Sequence, residues 1–374
     1  MNVTNGRDAA ETATPHPHGR RVQALAADAA RAGRIPGMVV AIANPDGPLH
    51  AVAVGSADLA TSRRVTLEDQ YPWFSMTKIA TATATMRLHA DGALDLDLPI
   101  GTYVAGYQAS ERFGHPTTRQ LLSHTAGLRN PMPLRWVRPE DEPPDLAQQS
   151  RVLAKHGKPK RAVGSRASYS NIGFLLVGEV IEAVTGLRVE DYVKAAVLDP
   201  LEMGATSYQY EPSIPRAVGY ARLPGVLRPA LRSVLPDRIV GPQVGRYTSF
   251  RPFLVNGAAY GGLVGPVTDA VKLAAAHAAW SDDNHPVLDH EDIEQMRTIT
   301  AIGRPFDHGL GWFRRHGDAT RLPAFVEHYG TGGGFWNAMR LYPTQRLAVV
   351  AMANTTRQWE FDRLFDQIQA LGWP

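Results

Sequence analysis

Apolar and polar positions divide the chain into a strand-like beginning, a helical middle and a strand-like end. From Arg20 to Ala32, Val22, Leu25 and Ala29 recur at helical spacing, and Gly33 and Pro36 end the pattern. Met38 to Asn44 is a β-branched apolar run and Leu49 to Val54 alternates in polarity. Pro45-Asp46-Gly47 between them predicts a hairpin turn. The middle carries helical patterns over Ser75–Ala90, Asn171–Val184, Val189–Val197 and Val267–Trp280, with Gly92 and Gly186 at C-terminal cap positions. Long stretches rich in proline and arginine separate them. Strand patterns return at Gly309–Arg315, Phe335–Tyr342 and Leu347–Ala353, and Glu360–Ala370 closes the chain as a helix.

Strands at both ends around a helical middle predict an α/β fold of the α+β type. One antiparallel sheet is built from both termini and flanked by helices, with an all-helical lobe inserted between. The expected division is a disordered tail over residues 1–18 and a single unit over 19–374. Within that unit, 19–74 and 305–374 form the sheet lobe and 75–304 the helical lobe, with an insert at 213–257. The insert carries Arg216, Arg222, Arg228, Arg232, Arg238, Arg246 and Arg251 against a single acid, Asp237. Its apolar residues make it a candidate wall over a binding site, although a solvated basic surface has the same composition.

Composition narrows the chemistry. A length of 374 residues with 44% hydrophobic content supports a large buried core. A formal charge of +3 from 39 basic and 36 acidic groups is too mild for a nucleic-acid footprint. With no cysteine, thiol nucleophiles and thiolate metal sites are excluded. The polar first eighteen residues do not read as a secretory signal, and no apolar run is long enough to span a bilayer. A soluble, cytoplasmic protein is the resulting expectation, with no membrane partner.

Ser75-Met76-Thr77-Lys78 opens the first central helix after Tyr71, Trp73 and Phe74. A spacing of three puts Ser75 and Lys78 on one helix face, where the amine can reach the hydroxyl. A serine must lose its proton to a base as it attacks. Lysine can be that base once burial and a helix N-terminus have lowered its pKa. Such pairs also arise by chance, so the weight comes from two companions. Tyr169-Ser170-Asn171 places a proton-handling phenol and a carbonyl-binding amide at a helix start. His328-Tyr329-Gly330-Thr331-Gly332-Gly333 precedes a strand, where glycines admit a close substrate backbone and a strand N–H can meet an oxyanion. Alone, the second motif reads equally as a turn and the third as a glycine hairpin.

Taken in order and spacing, the three motifs resemble the serine β-lactamase and D-alanyl-D-alanine peptidase superfamily, in particular its class C-type branch with esterases and amide hydrolases. Gln120–Leu128, Tyr260-Gly261-Gly262-Leu263 leading to Asp269, and Leu341-Tyr342-Pro343 add to the likeness. The resemblance implies that Ser75 forms an acyl-enzyme, Lys78 and Tyr169 move the proton, and the backbone N–H groups of Ser75 and Thr331 form the oxyanion hole. It also implies substrate contacts from Asn171, His328, Gly330 and Gly332. His124 reads as a scaffold residue. Where many relatives in that superfamily carry lysine at the third motif, this chain has His328, which weakens the expectation of a β-lactam or peptidoglycan substrate. The reading is therefore a serine hydrolase of a small ester, amide or thioester. An acyltransferase, a D-alanyl-D-alanine carboxypeptidase and a non-catalytic sensor are the alternatives. No cofactor is implied, and no His-Glu-x-x-His cluster suggests a metal.

Overall fold

The computed structural model describes residues 17–131, 136–223, 231, 235–236, 238–278 and 286–374. Helix α1 (Gly19–Gly33) leads into strands β1 (Gly37–Asn44), β2 (Gly47–Asp58) and β3 (Arg63–Arg64). The middle contains α2 (Thr77–Ala90), α3 (Asn171–Thr185) and α4 (Val267–Ala276). The chain ends with β4 (Phe306–His308), β5 (Phe313–Arg315), β6 (Val326–Gly332), β7 (Phe335–Tyr342), β8 (Leu347–Ala353) and α5 (Phe361–Gln369). The eight strands form one sheet in the order β4-β5-β6-β7-β8-β1-β2-β3, each pair antiparallel. Among the described residues, no helix is long and apolar enough to cross a membrane.

The two ends of the chain meet at the centre of this sheet, where Met38 stands opposite Ala353 and Val40 opposite Ala351. Every residue of β1 and β8 is buried. Alternation sends Val40, Ile42, Val349 and Ala351 to a core shared with Val22, Leu25, Phe361 and Phe365 of α1 and α5. Val39, Ala41, Val350 and Met352 point to the opposite core, with Ile79 and Met86 of α2 and Val267 and Val271 of α4. Because both faces are covered, these strands read as continuous apolar runs.

Several expectations shift in detail. Pro17 and His18, placed in the tail from sequence, form the turn into α1, and the His18 ring lies edge-on to Trp373 at 5.4 Å. The rest of that expected tail, 1–16, lies outside the described residues, as do Ala279 and Trp280 at the end of the expected fourth helix. The strand predicted over Gly309–Arg315 is shorter: β4 ends before it at His308 and β5 begins only at Phe313. Between them Gly311 turns the chain at φ +91°, and a Cβ there would crowd Ala82 of α2. The helix predicted over Val189–Val197 is α-helical to Val193 and continues as a wider π turn over Lys194–Leu198.

The inserted lobe is not all-helical. Short strands pair Val137–Pro139 with Phe253–Val255, and Gly219–Ala221, Tyr247–Phe250 and Val240–Val244 form a three-stranded sheet. These are brief runs of valine, tyrosine and phenylalanine bounded by proline or glycine. They are too short for a helix and suited to pairing.

Candidate active site

Ser75 occupies a tight 3₁₀ turn, Phe74–Met76, that runs directly into α2. The turn is clamped from the Ala258–Gly265 segment. Trp73 donates its backbone N–H to the Leu263 carbonyl (2.8 Å) and its indole N–H to the Gly265 carbonyl (3.2 Å). Leu263 N–H donates to Thr77 Oγ1 (3.1 Å), and Thr81 Oγ1 donates to the Ala259 carbonyl (2.8 Å). Phe74 is held at φ +46°, a strained conformation for a bulky residue, immediately before the partly exposed Ser75.

Lys78 lies one turn along, 0% exposed, with Nζ 3.1 Å from Ser75 Oγ and donating to the Tyr260 carbonyl at 2.9 Å. The rings of Tyr169, Tyr260 and Phe174 surround the amine at 4.9, 5.2 and 5.4 Å. Desolvation in this aromatic box pushes the Lys78 pKa well below the usual lysine range. Burial thus favours the neutral form of the amine that stands beside the serine hydroxyl.

Tyr169 is half-buried, and desolvation raises its phenol pKa above the ordinary value while a hydrogen bond with Ser75 acts in the opposite sense. The phenol is thus protonated near neutrality. Its ring rests on His124 (centroids 4.6 Å apart) and approaches His308 and His328, each at 6.2 Å. Burial depresses all three imidazoles, His308 to about 3. His124 takes φ +58° and its Nδ1 accepts the Ser170 N–H at 3.0 Å, which pins the residue after Tyr169 and supports the scaffold reading.

Strand β6 runs beside the serine turn. A Cβ on Gly330 would sit 1.9 Å from the Trp73 carbonyl oxygen, and one on Gly332 would enter the Phe74 ring at 2.2 Å. Gly330, implied by the resemblance as a substrate contact, is buried where the strand packs onto the serine turn. His328 differs more. Expected to face substrate, it is 0% exposed, donates through Nδ1 to the Tyr329 carbonyl (2.9 Å), and lies against Phe313 (4.6 Å). Its inward direction follows from the alternation of β6, which exposes Thr331 three residues later. Asn171, the first residue of α3, is half-buried, and its side-chain Oδ1 has no hydrogen-bond partner among the described residues.

The family model described as Beta-lactamase matches residues 21–372. The chain belongs to the Beta-lactamase family. Among its relatives, "Penicillin-binding protein 4" from Amycolatopsis lactamdurans is 24% identical over 336 residues, covering 86% of this chain and 81% of the relative. A crystal structure of SurE superposes with TM-score 0.71 at 28% identity, over 93% of this chain and 73% of that one. The fold is also that of D-amino acid amidase from Ochrobactrum anthropi SV3 in complex with L-phenylalanine, with TM-score 0.75, 22% identity and coverage of 94% and 98%.

Two contributors to this family site escape sequence reasoning. Tyr260 is visible there only as part of a glycine-rich segment, yet its carbonyl holds Lys78. Asn130 accepts the Asn171 N–H at 2.7 Å through Oδ1 and donates from Nδ2 to the Tyr169 carbonyl at 3.3 Å, tying the second motif together. Its only signal is its position just after the Gln120–Leu128 stretch. Among the described residues, no group of three or more His, Asp and Glu side chains is arranged to hold a metal ion.

Proposed function

We propose that this member of the Beta-lactamase family is a serine hydrolase that cleaves a small ester or amide through an acyl-Ser75 intermediate. The observation that carries the reading is the buried Lys78 amine, 3.1 Å from Ser75 Oγ, with desolvation as the cause of its lowered pKa. In its neutral form the amine can accept the Ser75 proton as Oγ bonds to the substrate carbonyl carbon. Tyr169, kept as a phenol, gives its proton to the departing alkoxide or amine as the acyl bond breaks and recovers it from the Lys78 ammonium. Water then adds to the acyl-enzyme by the same route in reverse. The backbone N–H groups of Ser75 and Thr331 are assigned to the oxyanion, and the Asn171 amide to the acyl portion.

The buried, neutral His328 places no cation on β6, which favours uncharged esters and amides over β-lactams at that position. Intact-mass analysis with a fluorophosphonate tests the assignment. One adduct is expected on the parent and none on Ser75→Ala, together with loss of p-nitrophenyl acetate hydrolysis. An adduct that survives the substitution overturns it.

A further inference from the structure

A large apolar hollow near the serine turn lies at the tip of the β6–β7 hairpin. It is a cavity of about 890 Å³ walled by Leu223, Leu235, Phe250 and Gly333, and its rim carries Arg222, Arg246 and Arg357. Gly333 directly follows the stretch that packs on the nucleophile turn. Phe250 also leads there: its ring is 6.5 Å from Phe253, which is 6.0 Å from Phe74, the neighbour of Ser75. Gly333 and this run of rings connect the wall of the hollow to the serine turn.

The three arginines come from separate parts of the chain: the end of the Gly219–Ala221 strand, the turn between Val240–Val244 and Tyr247–Phe250, and the segment after β8. All are exposed, and among the described residues no acidic side chain lines the cavity. Other arginines of the same insert are neutralised. Arg216 pairs with Glu140, and Arg238 with Asp141 at 2.5 Å. Thus the acidic run Glu140-Asp141-Glu142 takes up part of the insert's charge, while Arg222, Arg246 and Arg357 make no ion pair with any described residue. Arg228, Arg232 and Asp237 lie outside the described residues. Guanidinium groups converging at the mouth of an apolar hollow match a ligand that is apolar along its length and anionic at its end.

We infer that this cavity is the acyl subsite of the enzyme and takes an extended hydrocarbon chain terminated by a carboxylate. The inference rests on the serine-hydrolase reading above. Chain atoms displace water from the surfaces of Leu223, Leu235 and Phe250, and the terminal carboxylate meets the arginine rim in charge-assisted hydrogen bonds.

Two p-nitrophenyl esters of equal chain length test it: the octanoate, and the mono-ester of octanedioic acid, which adds only the terminal carboxylate. In the triple variant Arg222→Gln/Arg246→Gln/Arg357→Gln, the ratio of kcat/KM for the carboxylated over the methyl-ended ester should fall about tenfold or more. The parent ratio should also decline with added salt. A ratio that stays within about twofold of the parent in the triple variant overturns the inference. Calorimetric titration of octanedioate into Ser75→Ala protein separates this idea from the reaction it rests on. Saturable heat that disappears in the arginine triple supports the subsite whichever residue is the nucleophile. Absence of saturable binding to Ser75→Ala sinks the subsite even where fluorophosphonate labelling establishes Ser75.

Discussion

Replacing Lys78 by methionine should convert the protonation state of one buried amine into a slope of stability against pH. Lys78 is 0% exposed and its pKa is driven well below the usual range by desolvation alone, whereas the same lysine in the unfolded chain titrates near about 10.4. The sign follows directly. Above the unfolded value the amine is neutral in both states and folding carries no penalty. As pH falls below it, the unfolded chain takes up a proton that the fold excludes, and the native state loses about 1.4 kcal/mol per pH unit until the folded pKa is reached. A methionine side chain has no proton to exchange, so all other titrations cancel in the comparison. The hydrogen bonds lost to Ser75 Oγ and the Tyr260 carbonyl add an offset of about 1–3 kcal/mol that does not vary with pH. Urea unfolding of both proteins at about pH 8.5 and 9.5 should therefore show Lys78→Met gaining on the parent at the lower pH, by up to about 1.4 kcal/mol. A difference that is flat across that interval would mean that Lys78 is charged in the fold, and the base assignment would fall with it.

Other substitutions probe the frame around the amine. Gly330→Ala drives a methyl group into the Trp73 carbonyl and should lower stability by about 1–3 kcal/mol or more in thermal melts, together with the acylation rate. Gly204→Ala, with nothing within 4 Å, is the silent control. Tyr169→Phe keeps the ring contact with His124 while removing the transferable proton. Stopped-flow acylation should slow by about 10²–10⁴-fold with little change in melting midpoint. Arg340→Ala strands the fully buried Glu327 without its cation and should cost about 3–5 kcal/mol by urea unfolding, whereas the Arg340→Met/Glu327→Leu pair should recover much of it.

The sheet and the serine–lysine pair were legible in the sequence because each depends on short-range pattern. Pro45-Asp46-Gly47 turns where expected between β1 and β2, β7 covers Phe335–Tyr342 and β8 covers Leu347–Ala353 as read, and Gly186 caps α3 at φ +69°. What was not legible depends on contacts between distant segments. Nothing local marks Phe74 for a positive φ, and the Leu263 and Gly265 carbonyls that hold its neighbour Trp73 come from a distant segment. His328 looked like a ligand-facing residue because the motif carries no facing, and only the register of β6 on β7 turns it inward. The insert looked uniformly basic because its neutralising acids, Glu140 and Asp141, belong to a segment far upstream.

The pairing of β1 with β8 also sets when activity can arise during synthesis. A chain emerging from the ribosome presents Ser75 and Lys78 early, yet β6, whose glycines seat the serine turn, and β8, which fills the gap beside β1, come last. Until then β1 has an open apolar edge on its β8 side, and pairing across so long a loop is of the kind that forms slowly. The aromatic box that neutralises Lys78 needs Tyr260 as well as Tyr169. On the proposed assignment, the nascent chain would hold Ser75 and Lys78 long before Tyr260 completes the box around the amine.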